Sequence, residues 1–154
     1  MSSATLLRRV LITATLCATA SFAQDAKLLA DSSTLVEQGG VITLTAETTY
    51  RETPGALGWA IVLPAQWSLV AVSGPNAPDI APEPDSHGTI EFAHTRPPAD
   101  RAIFSIVVRY PAGATKAELT STTLVRTNGR LVTLVPAAVH LLSARSAPPQ
   151  RAPH

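Results

Sequence analysis

The fold class is decided by residues 41–49, which read VITLTAETT. The apolar residues Ile42, Leu44 and Ala46 fall on one face of an extended chain, and threonine and glutamate fall on the other. A period of two with many β-branched residues is typical of a strand that is buried on one side. Gly39-Gly40 comes just before this stretch and supplies a turn, so we expect a strand to begin near residue 41.

The same strand-like pattern recurs along the chain, and glycine or proline ends most of the runs. Asn128-Gly129 separates the last two runs, and both residues tolerate the positive φ of a type I′ turn, which indicates a β-hairpin. Residues 27–36 are the least regular part and fit two short edge strands. The sequence therefore predicts an all-β, antiparallel β-sandwich of about eight or nine strands, with further runs at residues 57–63, 67–72, 89–95, 103–110, 116–127 and 130–142.

Two proline-rich segments are predicted to lie outside the sheets. Residues 73–88 contain Pro75, Pro78, Pro82 and Pro84, and proline lacks the amide donor that a central strand needs. This segment is therefore expected to form a long surface loop. Residues 143–154 are polar and rich in proline, so we expect a disordered tail that does not pack on the domain.

Residues 1–23 have the layout of a secretory signal peptide. Arg8 and Arg9 precede an apolar run at residues 10–20, which is shorter than the roughly 20 residues of a spanning helix. Ser21-Phe22-Ala23 places small residues where a cut after Ala23 requires them. The sequence predicts an exported protein, periplasmic or extracellular, with one domain over residues 24–142 and no membrane span after cleavage.

The cysteine content and the charge bear on disulfides, lipidation and the class of partner. Cys17 is the only cysteine of the 154 residues and lies inside the predicted signal, so the exported domain is expected to have no disulfide. Leu16 fits poorly at a lipoprotein acylation site, where a small residue should precede the cysteine. The formal net charge is +1, and it becomes slightly acidic without Arg8 and Arg9. Because the charges are scattered, no nucleic-acid partner is expected.

Four segments resemble known β-sandwich modules. They are residues 38–44 (QGGVITL), 63–74 (LPAQWSLVAVSG), 88–92 (GTIEF) and 104–113 (FSIVVRYPAG). Together they resemble the cohesin-like and bacterial immunoglobulin-like modules of secreted and cell-surface proteins, over most of residues 27–142. The resemblance implies an immunoglobulin-like or cohesin-like sandwich used for adhesion, scaffolding or spacing. Its motifs are not catalytic, and it carries over no binding residue.

Histidine and acidic residues are too loosely spaced to predict a metal site. His87 and His94 flank one predicted strand, but they do not form a His-x-His or His-x-x-x-His pair. The acidic residues Asp79, Glu83 and Asp85 are separated by prolines and lack the pattern of an EF-hand loop. We expect both histidines to be solvated, and we expect neither a metal nor a cofactor.

Four aromatic residues are candidates either for the core or for a ligand-binding surface. Trp59 alternates with Ile61 and is expected to face the core, as a central-strand tryptophan does in sandwiches. Trp67 falls on the same face of the extended chain as the apolar residues that alternate after it, which favours packing in the core or at its rim. If its ring were exposed instead, Trp67 together with Tyr50 or Tyr110 would contact a ligand or partner.

No catalytic pattern stands out in the sequence. A Gly-x-Ser-x-Gly elbow is missing, and paired carboxylates would have to meet in space rather than in sequence. The sequence therefore predicts no enzyme, but an exported interaction or structural module that presents its sheet faces and the 73–88 loop to an unknown protein or cell-surface partner. The alternative is a small carbohydrate-binding module that holds a polysaccharide with Trp67 and Tyr50 or Tyr110. A secreted enzyme comes third.

Overall fold

The computed structural model describes residues 24–144. The predicted signal peptide lies outside the described residues, as do residues 145–154 of the predicted tail. Between residues 24 and 144 there is no helix, and the all-β prediction is confirmed. The ten strands are β1 (Asp25–Ala30), β2 (Thr34–Leu35), β3 (Gly40–Thr49), β4 (Ala56–Val62), β5 (Ser68–Ser73), β6 (Thr89–His94), β7 (Arg101–Tyr110), β8 (Lys116–Thr127), β9 (Arg130–Leu134) and β10 (Val139–Ser143).

The strands form two packed sheets. One sheet has the order β1-β3-β7-β5, and the other has the order β2-β10-β8-β4-β6, with β9 paired to the far half of β8. The described pairs are antiparallel except β2 with β10, which is parallel. This is the predicted β-sandwich architecture.

The strand count exceeds the prediction because one expected run is interrupted. Residues 130–142 were expected to form one strand, but the ladder stops after Leu134 and resumes at Val139. Pro136 lies in the gap and lacks an amide to donate. The last strand ends at Ser143, one residue inside the predicted tail, and the amide of Ala144 still donates to the carbonyl oxygen of Leu35 at 3.0 Å.

The central pair β3–β7 builds the core through its register. Ile42 lies opposite Val108, and Leu44 lies opposite Ile106. These four side chains are buried, because directly paired residues of an antiparallel ladder project to the same face. The alternation at residues 41–49 therefore marks the inner face of this sheet, as predicted.

Phe104 on β7 is the centre of the aromatic core. Its ring centroid lies 6.4 Å from that of Trp59, 5.5 Å from that of Phe92 and 5.6 Å from that of His94. The Trp59 ring is edge-on to Phe104, an arrangement that aromatic pairs prefer. The indole Nε1 of Trp59 donates to Thr48 Oγ1 at 3.0 Å, so this buried donor is paired. The prediction that Trp59 faces the core is confirmed.

The proline-rich 73–88 loop lies along strand edges rather than projecting freely. The amide of Asp85 donates to the carbonyl of Leu69 on β5 at 2.7 Å, and the amide of Leu69 donates to the carbonyl of Ser86 at 2.9 Å. Ile80 exchanges two backbone hydrogen bonds with Ala93 on β6, of 3.0 and 2.9 Å. Ile80, Asp85 and Ser86 of this loop thus cover an edge of each sheet on one side of the sandwich.

Asp79 fastens this loop to the end of β6. Its Oδ2 accepts hydrogen bonds from the Thr95 amide at 2.7 Å, the Thr95 hydroxyl at 3.0 Å and the Arg96 amide at 3.4 Å. The bond from the Thr95 amide is the main reason that the pKa of Asp79 lies below its usual value, since these donors favour the charged carboxylate. Because the pKa of Asp79 is lower in the folded state, its ionised carboxylate stabilises the folded state fully above the unfolded pKa of about 3.9. This stabilisation is lost as pH falls through the folded pKa.

We expect an Asp79→Ala variant to release the loop from β6 without unfolding the sandwich. Amide hydrogen exchange at Thr95 and Ile80 should become faster at neutral pH, while the Glu83→Ala control, also an exposed loop acid, should exchange like the wild type. In the wild type, the NMR shift of the Thr95 amide proton should titrate with a midpoint below about 3.9. Unchanged exchange in Asp79→Ala would show that this carboxylate does not hold the loop.

Candidate functional site

The three aromatic residues considered for ligand contact lie in the core. The exposed fractions of Tyr50, Trp67 and Tyr110 are 4%, 2% and 5%. The Trp67 and Tyr110 rings pack against each other with centroids 5.3 Å apart. The hydroxyl of Tyr110 accepts a hydrogen bond from the Val36 amide at 3.1 Å, and that of Tyr50 donates to the Pro98 carbonyl. These rings hold loops against the sandwich and offer no platform on which a sugar face could stack.

Burial also changes the chemistry of Tyr50. Desolvation raises the pKa of its hydroxyl above the usual value, and the negative charge of Asp100 raises it further. The hydroxyl therefore stays protonated at neutral pH and serves as a donor to the Pro98 carbonyl. This contact fits a structural role for Tyr50.

The prediction that His94 is solvated is wrong. Its exposed fraction is 3%, because it shares the inward parity of Ile90 and Phe92 on β6 and the 73–88 loop covers the strand end. Its Nε2 lies 2.8 Å from the carbonyl oxygen of Asn76 and donates to it. Its Nδ1 is buried and has no hydrogen-bond partner within residues 24–144. His94 therefore anchors the loop instead of facing solvent.

His87 and the loop acids do not converge on one point. His87 is exposed, and its Nδ1 donates to the Trp67 carbonyl at 2.7 Å. The Asp79 carboxylate accepts hydrogen bonds from Thr95, whereas Asp85 forms an exposed ion pair with Arg109 at 3.6 Å. Within the described part of the chain, no three histidine, cysteine or acidic side chains lie close enough together to hold a metal ion.

An open apolar groove lies on the outer face of the sheet formed by β4, β6 and β8. The strand register creates it, because Gly58 on β4 lies directly between Ala93 on β6 and Leu124 on β8. The small residues form a low floor, while Leu124 and the loop residue Ile80 form its apolar walls. The groove has a volume of about 270 Å³. Sheet and loop thus contribute jointly to one concave, largely apolar surface.

The outer face of the other sheet is different in character. There the exposed apolar residues Leu29 and Val41 lie among outward-facing polar residues that include Thr43 and Thr45, and Arg101 and Glu47 form an ion pair at 3.5 Å. A contiguous apolar surface marks an interaction site more often than apolar residues that are exposed singly among polar ones. The groove is therefore the better candidate for a docking surface.

Sequence reasoning missed Ile80 and Leu124 as candidate site residues. Leu124 was visible as an apolar residue on the outward parity of β8, between the inward Thr123 and Val125. Ile80 was visible as a large aliphatic residue in a segment of prolines and acids. Neither signal reveals a groove alone, because the two residues meet only through the pairing of β4, β6 and β8.

No helix long and apolar enough to cross a membrane occurs in residues 24–144.

Comparisons with known proteins show the fold. A scan of protein-family profiles finds no match, and a search of curated proteins finds none either. Among solved structures, the chain is similar to a type II cohesin domain from the cellulosome of Acetivibrio cellulolyticus, with a TM-score of 0.55 and 10% identity over 77% of this chain and 94% of that domain. It is also similar to the full-length major pilin SpaD of Corynebacterium diphtheriae, with a TM-score of 0.54 and 10% identity over 76% of this chain. The match spans 35% of the pilin. The chain therefore has a cohesin-like, immunoglobulin-like β-sandwich fold, as its sequence predicts.

Proposed function

We propose that this protein is an exported, non-catalytic interaction module that binds a protein partner through the groove on β4, β6 and β8. The observation that carries the proposal is the joint construction of this groove, in which Ile80 of the loop and Leu124 of β8 flank a floor of small residues. A partner side chain entering it would remove apolar surface from water, which contributes about 25 cal/mol for each Å² buried.

The low floor favours a protruding apolar side chain as the group that enters. Gly58 has no side chain, and a Cβ built there would meet only ordinary contacts, at 3.8 Å to Leu124 Cβ and to the Phe92 carbonyl oxygen. Packing alone therefore does not require glycine at this position. Its absent side chain leaves space that an aliphatic or aromatic residue of a partner could fill.

Export and the lack of catalysis have separate support. The layout of residues 1–23 supports export, and the fold is shared with a pilin and with a cellulosomal cohesin. A non-catalytic role is supported by the separate engagement of the loop acids and by the burial of His94 in the aromatic core. The carbohydrate alternative depended on exposed rings at Trp67, Tyr50 or Tyr110, and their burial removes that support.

The groove can be tested by introducing a carboxylate at its wall. Ile80 is 57% exposed, and Val41 on the outer face of the other sheet is also 57% exposed, so Ile80→Asp and Val41→Asp make a matched pair. We expect Ile80→Asp to weaken capture of a partner from the exported fraction of the source cells by about tenfold or more, since burying an unpaired charge is costly. Val41→Asp should capture the same species as the wild type.

Circular dichroism and thermal melting should show that both variants stay folded, because both substituted side chains are largely exposed. Equal capture by Ile80→Asp and by the wild type would reject the groove as the docking surface. Loss of capture in Val41→Asp alone would place docking on the outer face of the β1-β3-β7-β5 sheet instead.

A further inference from the structure

The strand edges are covered on one lateral side of the sandwich and open on the other. On one side the 73–88 loop lies along the edges of β5 and β6. On the other side, β1 and β9 each have a second edge to which no strand of residues 24–144 is paired. β1 carries the ion pair Asp25–Lys27, and charges of this kind protect an edge against pairing with another chain. Arg130 begins β9, but residues 131–139, which form the rest of β9 and the segment after it, contain no charged side chain.

The hairpin register determines which backbone groups of β9 point outward. Asn128 and Gly129 have φ values of 52° and 73° and form the two-residue turn between Thr127 and Arg130. In such a hairpin the flanking pair is hydrogen-bonded, and bonded and non-bonded pairs alternate from there. Residues 130, 132 and 134 therefore bond to β8, so the amides and carbonyls of residues 131 and 133 face away from it. Val135 continues this parity, and its position before Pro136 favours an extended backbone.

Apolar side chains remain exposed along this edge. The exposed fractions of Leu131, Val132 and Val135 are 58%, 39% and 77%. Val132 lies opposite the fully buried Val125 and so faces the inner side of the sheet. Its exposure shows that the inner side of β9 is only partly covered. An added strand would pair with the edge and also cover these side chains.

The edge is complementary to itself. Residues 131–135 read Leu-Val-Thr-Leu-Val, so an antiparallel two-fold centred on Thr133 places Leu131 opposite Val135, Val132 opposite Leu134, and Thr133 opposite its own copy. Apolar and threonine pairs of this kind stabilise a ladder. The two copies of Arg130 lie at opposite ends of the shared ladder, so no like charges face each other. A second copy would thus bond the outward-facing backbone groups of β9 and cover its exposed apolar side chains.

We propose that two copies of this chain pair through β9, antiparallel and centred on Thr133, so that the β2-β10-β8-β4-β6 sheets of both copies join into one continuous sheet. The second copy adds beyond β9, whereas the floor of the groove lies on β4 and β6, and Leu124, which is paired with Thr133, separates the two surfaces. The pairing therefore stands independently of the proposed partner. Isologous pairing of this kind closes after two copies and does not generate fibres.

Analytical ultracentrifugation of the full exported chain over a wide concentration range tests the pairing. The wild type should approach twice its monomer mass as concentration rises. Thr133→Lys should raise the dimer dissociation constant by about tenfold or more, because it sets two like charges directly opposite each other, whereas Thr133→Val should dimerise. The matched control is Leu29→Lys on the open edge of β1, where Leu29 is 53% exposed; it should dimerise like the wild type.

The register is tested by a charge exchange. Leu131→Lys and Val135→Glu should each weaken the dimer, and a chain carrying both changes should recover it, since each lysine then faces a glutamate of the other copy. A wild type that stays monomeric at every concentration overturns the proposal. Amide protection of Leu131 and Thr133 in that monomer would assign the edge to another segment of the same chain. Equal weakening by Leu29→Lys and Thr133→Lys also overturns it.

Discussion

Replacing Trp67 with alanine should lower the free energy of unfolding by about 3–5 kcal/mol, the cost of truncating a large buried aromatic side chain. Trp67 is 2% exposed, and its ring packs on Tyr110 at 5.3 Å between centroids. For a domain of this size the loss corresponds to a fall in Tm of roughly 10 °C or more. Differential scanning calorimetry measures it, and Trp67→Phe should lose much less because it keeps an aromatic ring in the site.

This substitution also separates the core assignment from the carbohydrate alternative. A ring used as a sugar platform could be removed with little change in Tm, and only binding would be lost. Polysaccharide pull-down with the Trp67→Ala variant provides that comparison. A normal Tm together with lost polysaccharide binding would contradict the core packing and favour a carbohydrate-binding module.

Gly39→Ala should destabilise the sandwich through backbone contact. Gly39 has a φ of +77°, and a Cβ there would lie 2.7 Å from the Ala112 amide nitrogen, 2.8 Å from the Pro111 carbonyl carbon and 2.9 Å from the Tyr110 carbonyl oxygen. The positive φ costs about 1–2 kcal/mol for an L-residue, and overpacking adds about 1–3 kcal/mol. The total expected loss is therefore about 2–5 kcal/mol.

Gly113→Ala is the matched control for this prediction. Gly113 has a φ of +78°, but a Cβ there would have no atom within 4 Å. It should therefore lose only the conformational cost of about 1–2 kcal/mol. Urea unfolding of both variants gives the difference, which isolates the clash with residues 110–112. Equal losses would show that the approach of the two loops is less close than the structure has it.

The fold was predictable because its strongest signals are local. Alternation at residues 41–49 predicts the inner face of β3, and Asn128-Gly129 predicts the hairpin whose two positive φ values the structure shows. The break at Pro136 was also visible, but local pattern could not decide whether one strand or two would form around it. That outcome depends on how residues 130–143 follow the long strand β8.

The groove could not be predicted because it depends on pairing between distant strands. Gly58 adjoins Ala93 and Leu124 only through the registers of β4 with β6 and β8. Ile80 reaches the groove only because its backbone pairs with Ala93. His94 was misassigned for a related reason, since a residue at the end of a strand is buried or exposed according to the loop that covers it. Contacts between residues far apart in the sequence, rather than local propensity, determine the groove and the burial of His94.

Site-specific photocrosslinking shows whether a partner docks in the groove beside Ile80. A benzophenone amino acid is placed at position 80 or at position 41 of the chain in its source cells, and the irradiated adducts are identified by mass spectrometry. We expect one defined protein adduct from position 80, and no adduct of that protein from position 41. Adducts with that protein from position 41 and not from position 80 would contradict docking in the groove.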